Sequence, residues 1–330
     1  MTHVAPRPLI TLEPLRRLWQ INAPLTTLTV FVAITLVSSI AGLLVDPRTT
    51  ALLGTPTWVK TFKFSLSLLL YAPMLTWAIS LSSGRLRRLA DRAGNVVGAV
   101  LLFEMVLLVV QGARAQPMHF NYASPFDLVL WQTMTIGIFV MLVGYVVLVV
   151  AVWRSLSAQP LIAWGLRLGL LVTLIGLLQG LSMTAPTPAQ LEAMRATGQT
   201  LMIGAHTVGS PSAVPDSGPG LPLLGWSTTH GDLRIGHFVG LHALQILPLV
   251  ALLLSRRRER WLTERHRLWL LWTAALGYLG AVTLVTWQAL RGQPLTAPDA
   301  LTLGVLAALV AFVAASSLGA LWHARRSVSA

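Results

Sequence analysis

Eight apolar blocks, each close to the length that crosses a bilayer, decide most of what this chain can fold into. An α-helix rises about 1.5 Å per residue, so about 20 apolar residues span the hydrocarbon core. The blocks fall at 25–45, 60–81, 95–112, 128–153, 161–183, 235–255, 268–290 and 301–322. The breaks carry Pro, Gly and Arg, as in DPRTT, GRLRRLADR, SAQP and RGQPLTAPD. The pattern predicts an all-α polytopic integral membrane protein with eight transmembrane helices. A transmembrane β-barrel would need alternating segments of about 10 residues, and the chain has none. Composition agrees: 55% of the 330 residues are hydrophobic and 11% charged, whereas soluble domains are about 25% charged. The same figures exclude intrinsic disorder.

Charge sets the expected threading. Net charge is +13, and basic residues beside apolar blocks orient helices by the positive-inside rule. One side collects 17 Lys and Arg residues, including Arg16, Arg17, Arg85, Arg87, Arg88 and Arg92; the other holds 7. The expected protein sits in a bacterial cytoplasmic (inner) membrane with both termini cytoplasmic. Residues 1–24 form a cytoplasmic N-terminal segment. Residues 25–183 carry helices one to five, the fifth opening the second repeat. Residues 184–234 form a long outer loop and possible lid, 235–322 carry helices six to eight, and 323–330 are a cytoplasmic tail. Arg7, Arg16 and Arg17 precede an apolar block of 21 residues. A secretory h-region has about 7–15, so this block reads as an uncleaved signal anchor. The connection RRRERWLTERHR at 256–267 reads as a basic segment contacting anionic lipid, with no nucleic-acid partner. The chain has no cysteine, which excludes disulfides, thiolate metal sites and cysteine nucleophiles.

Two outer connections repeat. Gln111, Arg114, Gln116 and Pro117 recur as Gln288, Arg291, Gln293 and Pro294, each set followed by Pro and Asp: Pro125 and Asp127, then Pro298 and Asp299. The second and sixth helices align at an offset of 174, which places Lys60 on Arg234, Lys63 on His237, Phe64 on Phe238 and Tyr71 on Gln245. Four helices after four keep the same orientation, so the expected architecture is two parallel four-helix halves with pseudo-two-fold symmetry. In the long outer loop, Thr187-Pro188 reads as an N-cap and N1 proline opening a short helix.

Charged side chains inside a bilayer are costly unless paired or hydrated, and they mark function by default. On the second helix, Lys60, Lys63, Ser67 and Tyr71 share an arc of about 80°. On the sixth, Arg234, His237, His242 and Gln245 span about 140°. Glu104 and Gln111 share a face of the third. Rise per residue puts Lys63, Glu104, His237 and His242 roughly 5–12 Å below the outer surface. These residues predict one outward-facing polar site built from helices two, three and six, with Glu104 paired to Lys63 or Arg234. Lys60, Lys63, Glu104, Gln111, Arg114, Asp127, Arg234 and Gln245 are the ligand or proton candidates. Arg114 and Arg291 stand at helix C-termini, where a cation complements the dipole, and Asp127 and Asp299 at N-termini, where a carboxylate caps.

His119, His206, His237 and His242 are the metal or haem-ligand candidates. His237 and His242 are five apart, too far for two ligands on one helical edge, and HExxH is absent. Gly236 and Gly240 flank His237 at a spacing that admits a close helix or a flat macrocycle. Haem b is the implied cofactor if a histidine serves as axial ligand. GxGxxG, Walker A and GxSxG are missing.

KTFKFSLS, VVQGARAQPMHFN with SPFD, and GWSTTHGDLRIGHFVGLHALQ resemble motifs of an uncharacterised family of bacterial multi-pass membrane proteins. The resemblance covers most of the chain and implies no particular activity. In architecture alone, two four-helix halves with both termini inside are similar to haem A synthase. That likeness implies a histidine pair in each half, on the even-numbered helices. Here the second helix carries Lys60 and Lys63, the fourth has no histidine, and the eighth has only His323 at its end. Three readings stand: a haem-binding or redox-active protein, a small-molecule or proton-coupled transporter, and an outer-leaflet lipid- or isoprenoid-modifying enzyme.

Overall fold

The computed structural model describes residues 13–198, 200–257 and 259–327. Arg7, Arg258 and the last three residues of the tail lie outside the described residues. A short helix, α1 (Glu13–Ile21), precedes the long ones: α2 (Ala23–Val45), α3 (Val59–Ser80), α4 (Gly84–Ala113), α5 (Pro125–Ser155) and α6 (Pro160–Gly180). Helix α7 (Pro188–Thr197) lies in the long connection. Helices α8 (Leu233–Leu241), α9 (Ala243–Ser255), α10 (Glu264–Leu290) and α11 (Ala300–Arg326) follow. Among the described residues, seven helical spans are long and apolar enough to cross a membrane, and α8 with α9 makes an eighth, bent by 42°. This is the fold of a polytopic membrane protein. Ile34, Val37, Val129, Ile136 and Val143 point away from the bundle and are 62% to 69% exposed, as lipid-facing side chains are.

Local chemistry explains where the helices start. Asn22 accepts from Leu25 N ahead of Pro24, and Ser124 accepts from Asp127 N ahead of Pro125. Thr187 and Gln190 form a reciprocal capping box on α7, which closes at Gly198 with φ 70°. Helix α4 begins eleven residues before the apolar block at 95, because the basic segment GRLRRLADR is itself helical.

The expected sixth helix is broken at His242. Gly240 and Pro248 weaken it on either side. A break inside a membrane needs substitute donors for its carbonyls. Tyr278 Oη donates to Val239 O at 2.6 Å, and Thr173 Oγ1 donates to Leu241 O at 3.2 Å.

Helix packing follows chain order. Helix α2 packs on α3 and α4, α3 on α4, and α4 on α5. Helix α6 packs on α8, α9 and α10, α10 on α8 and α9, and α11 on α10. The two groups meet where α5 touches α6 and α3 touches α9. The α3–α4 and α5–α6 connections meet at one end, the basic end, through Ser83 N to Ser155 O at 3.0 Å. The α2–α3 and α4–α5 connections meet at the opposite end, through Ala51 N to Ala115 O at 2.9 Å.

At that opposite end the repeated motif closes twice in the same way. Gln111 Nε2 donates to Pro117 O at 3.2 Å, and Gln288 Nε2 donates to Pro294 O at 2.7 Å. Arg114 pairs with Asp127, and Arg291 pairs with Asp299. The next residue is left-handed in both copies: Ala115 at φ 55° and Gly292 at φ 72°. Asp299 caps α11 itself, whereas Asp127 sits three residues after the true cap, Ser124.

Candidate functional site

The connection between α6 and α8 is a folded cover at the end opposite the basic one. Gln190, fully buried, bonds Gly204 N at 3.1 Å and Gly204 O at 3.0 Å. Strand β1 (Thr207–Val208) pairs antiparallel with β2 (Gly231–Asp232). Tyr122 N to Leu201 O at 2.9 Å and Ile203 N to Phe120 O at 3.1 Å tie the cover to the α4–α5 connection. Phe120 itself is left-handed at φ 63° although its ring is buried. A bulky residue holds that conformation only when its surroundings impose it.

Six of the predicted residues meet beneath this cover. From α3, Lys60 Nζ lies 3.2 Å from His119 Nδ1, and Lys63 Nζ donates to Leu224 O at 2.8 Å. The His119 and His206 rings are 6.2 Å apart. His206 Nδ1 contacts the Asp216 carboxylate at 2.5 Å, which also accepts from Thr207 N at 3.0 Å. Arg234 lies against Asp232, its Nε at 2.9 Å, and donates to Gly225 O. His237 Nδ1 lies 2.7 Å from Gly176 O of α6. Lys60, Lys63, His119, His206 and His237 each keep part of their surface accessible. Arg234 and His206 have carboxylate partners; among the described residues Lys60 and Lys63 form no ion pair.

Two loop histidines, His119 of the α4–α5 connection and His206 of the cover, are poised neutral. Burial pushes His119 well below its usual 6.5, helped by the charge of Lys60. Burial also lowers His206, against the opposing pull of Asp216. Burial alone would raise Asp216, but the neighbouring His206 and Arg234 hold it well below the usual carboxylate range. In the unfolded chain both histidines protonate near 6.5. The folded state then binds fewer protons, so their contribution to stability is present above that pH and falls as pH drops below it. Thermal unfolding in detergent should show this acid loss, and His119→Phe should reduce it; a melting temperature flat between about pH 7 and pH 5 would contradict it.

Other predicted residues lie elsewhere. Gln111, Arg114 and Asp127 form the closure of the α4–α5 connection. His242 packs its ring on Phe238 at 4.4 Å. Gln245 is on α9, beyond the break at His242.

Glu104 corrects the expected ion pair. It reaches neither Lys63 nor Arg234. Its carboxyl points between α4 and α5, where a Cβ on Gly137 would lie 2.7 Å from Oε1. That oxygen is buried and has no hydrogen-bond partner among the described residues. Shared depth on a helix does not fix shared direction, and the third helix turns this face toward the fourth. Glu104→Leu should therefore stabilise the protein by about 1–3 kcal/mol, because it removes an unsatisfied buried polar group. Denaturation in mixed micelles measures this, and a clear loss of stability would show that the carboxyl has a partner.

The glycines beside His237 serve helix packing. A Cβ on Gly236 would lie 2.2 Å from Thr286 Oγ1, and one on Gly240 would lie 2.7 Å from Gly176 Cα. That leaves no slot for a macrocycle against either glycine. Among the described residues no three His, Asp or Glu groups converge as a metal site.

Sequence reasoning missed Asp216 and Asp232. Asp232 is signalled only by its place before α8. Asp216 lies ten residues from His206 in a Pro- and Gly-rich segment, with no local pattern to join them. Comparison with known proteins finds no matching family model, no matching curated protein and no matching solved structure.

Proposed function

We propose that this membrane protein is a carrier that binds a small oxyanion between its two halves, beneath the α6–α8 connection. The observation that carries the reading is the pair Lys60 and Lys63. These are two cations largely enclosed by protein and without carboxylate partners among the described residues, with His119 against Lys60 and His206 beside His119. Enclosed charges are normally paired, and an anionic ligand supplies the missing partner.

Three features support the carrier class. The helix-packing pattern of α2–α5 recurs in α6 and α8–α11, and the QxxRxQP closure recurs with it. These fit two parallel halves with a pseudo-two-fold axis. The site draws α3 from one half and α8 from the other, where carriers of repeated design bind substrate. The 42° break between α8 and α9 lies just below it, and discontinuous helices recur at such sites. The basic end carries the excess of Lys and Arg, which favours a cytoplasmic placement for it and an extracytoplasmic one for the site.

The test is thermal unfolding of the detergent-purified chain in sulfate against chloride at equal ionic strength. A ligand that binds only the folded state raises the melting temperature. Sulfate should raise it, Lys60→Met and Lys63→Met should remove the rise, and proteoliposomes should take up labelled sulfate. Equal melting temperatures in both salts would overturn the reading.

A further inference from the structure

We propose that the oxyanion enters this site together with one proton, which His206 accepts on Nε2. The inference rests on the oxyanion reading and adds to it the identity of the proton acceptor.

Hydrogen bonds assign the three imidazoles. The Asp216 carboxylate can only accept, so His206 carries its ring proton on Nδ1 and presents the Nε2 lone pair. The Gly176 carbonyl can only accept, so His237 has the same tautomer. The Lys60 ammonium donates to His119 Nδ1, which puts that ring's proton on Nε2. His119 is thus a neutral donor, while His206 and His237 are empty proton acceptors. No hydrogen bond occupies the Nε2 of any of the three among the described residues.

The charges facing His206 come from every element around it. Lys60 on α3, Arg234 on α8 and the rings of His119 and His237 oppose its protonation; Asp216 favours it. Lys60, Lys63 and Arg234 stand against Asp216 and Asp232, so with neutral histidines the site lacks the charge to neutralise a dianion. A dianion tips the balance for a neighbouring imidazole, since an opposite charge within about 4–6 Å favours the charged form. His206 is favoured over His237 because its other nitrogen faces a carboxylate rather than a carbonyl, and a carboxylate stabilises the imidazolium. The event is a proton transfer from solvent to Nε2, with no bond broken in the anion.

Sulfate is the probe, because its charge is constant across the working range. Calorimetric titration of the full-length protein in Bis-tris and in Tris, buffers of different ionisation enthalpy, counts the protons taken up at about pH 7. The expected result is roughly one proton per sulfate, with affinity tightening up to about tenfold per pH unit on acidification. His206→Gln should bind sulfate with no proton uptake, and His230→Gln, outside the site, should behave as the parent chain does. Sulfate binding with heats independent of buffer, or uptake unchanged in His206→Gln, would overturn this inference and leave the oxyanion site standing. No sulfate binding at any pH would overturn both. A parent chain that takes up no proton overturns the inference even if the variant does not fold.

Discussion

Asp232→Ala is expected to cost about 3–5 kcal/mol, the penalty of stranding one member of a buried ion pair. Asp232 is fully buried and accepts from Ser227 N at 2.8 Å, Arg234 N at 3.0 Å, Arg234 Nε at 2.9 Å and the Arg234 terminal nitrogen. A helix cap alone is worth about 0.5–2 kcal/mol. Here the cap of α8, the guanidinium partner and the anchor of the 227–232 turn are one side chain. Without it, the one hydrogen bond left to Arg234 among the described residues is to Gly225 O, close to Lys63. The double variant Asp232→Leu with Arg234→Met should recover a large part of the loss, because neither charge is then stranded. Denaturation in mixed micelles reads both. A loss of less than about 1 kcal/mol in the single variant would mean that the cover is held without this pair.

The elements legible in the sequence are those fixed by local signals. Apolar runs fix the spans, Thr187-Pro188 fixes α7, and the repeated Gln, Arg, Gln, Pro spacing fixes two closures that share the Gln-to-Pro-carbonyl hydrogen bond and the Arg–Asp pair. The predicted gathering of Lys60, Lys63, Arg234 and His237 follows from arcs on two helices. Their meeting with His119 and His206 depends on where two loops fold, which no periodicity encodes. The break at His242 is not legible either. A hydropathy block cannot tell a continuous helix from a bent one, and the donors that make the bend tolerable, Thr173 and Tyr278, come from other helices. Glu104 shows the opposite error. Its depth is readable, but its direction depends on how α4 is rotated against α5, and Gly137 makes room for it there.

Gly176→Leu is expected to separate α6 from α8 and abolish sulfate binding, while Gly304→Leu is tolerated. At Gly176 even a single Cβ would lie 2.8 Å from Gly240 C and 2.9 Å from Leu241 N. Both neighbours are backbone, so no side chain can rotate away to make space. Overpacking a rigid contact costs about 1–3 kcal/mol for added methylenes, and a leucine forced between two backbones belongs at or beyond the top of that range. The same residue holds the site, because its carbonyl accepts from His237 Nδ1 and Thr173 close by serves the broken helix. Displacing α8 therefore removes the hydrogen bond that sets the His237 tautomer and moves Arg234 away from Lys63. A Cβ on Gly304 of α11 would meet nothing within 4 Å, and leucine is the better helix former by about 1 kcal/mol. The two substitutions are chemically identical, so a difference in melting temperature and sulfate response between them reports the contact alone. Retained sulfate binding in Gly176→Leu would show that α6 and α8 can part without disturbing the site, and that the close glycine contact serves assembly rather than function.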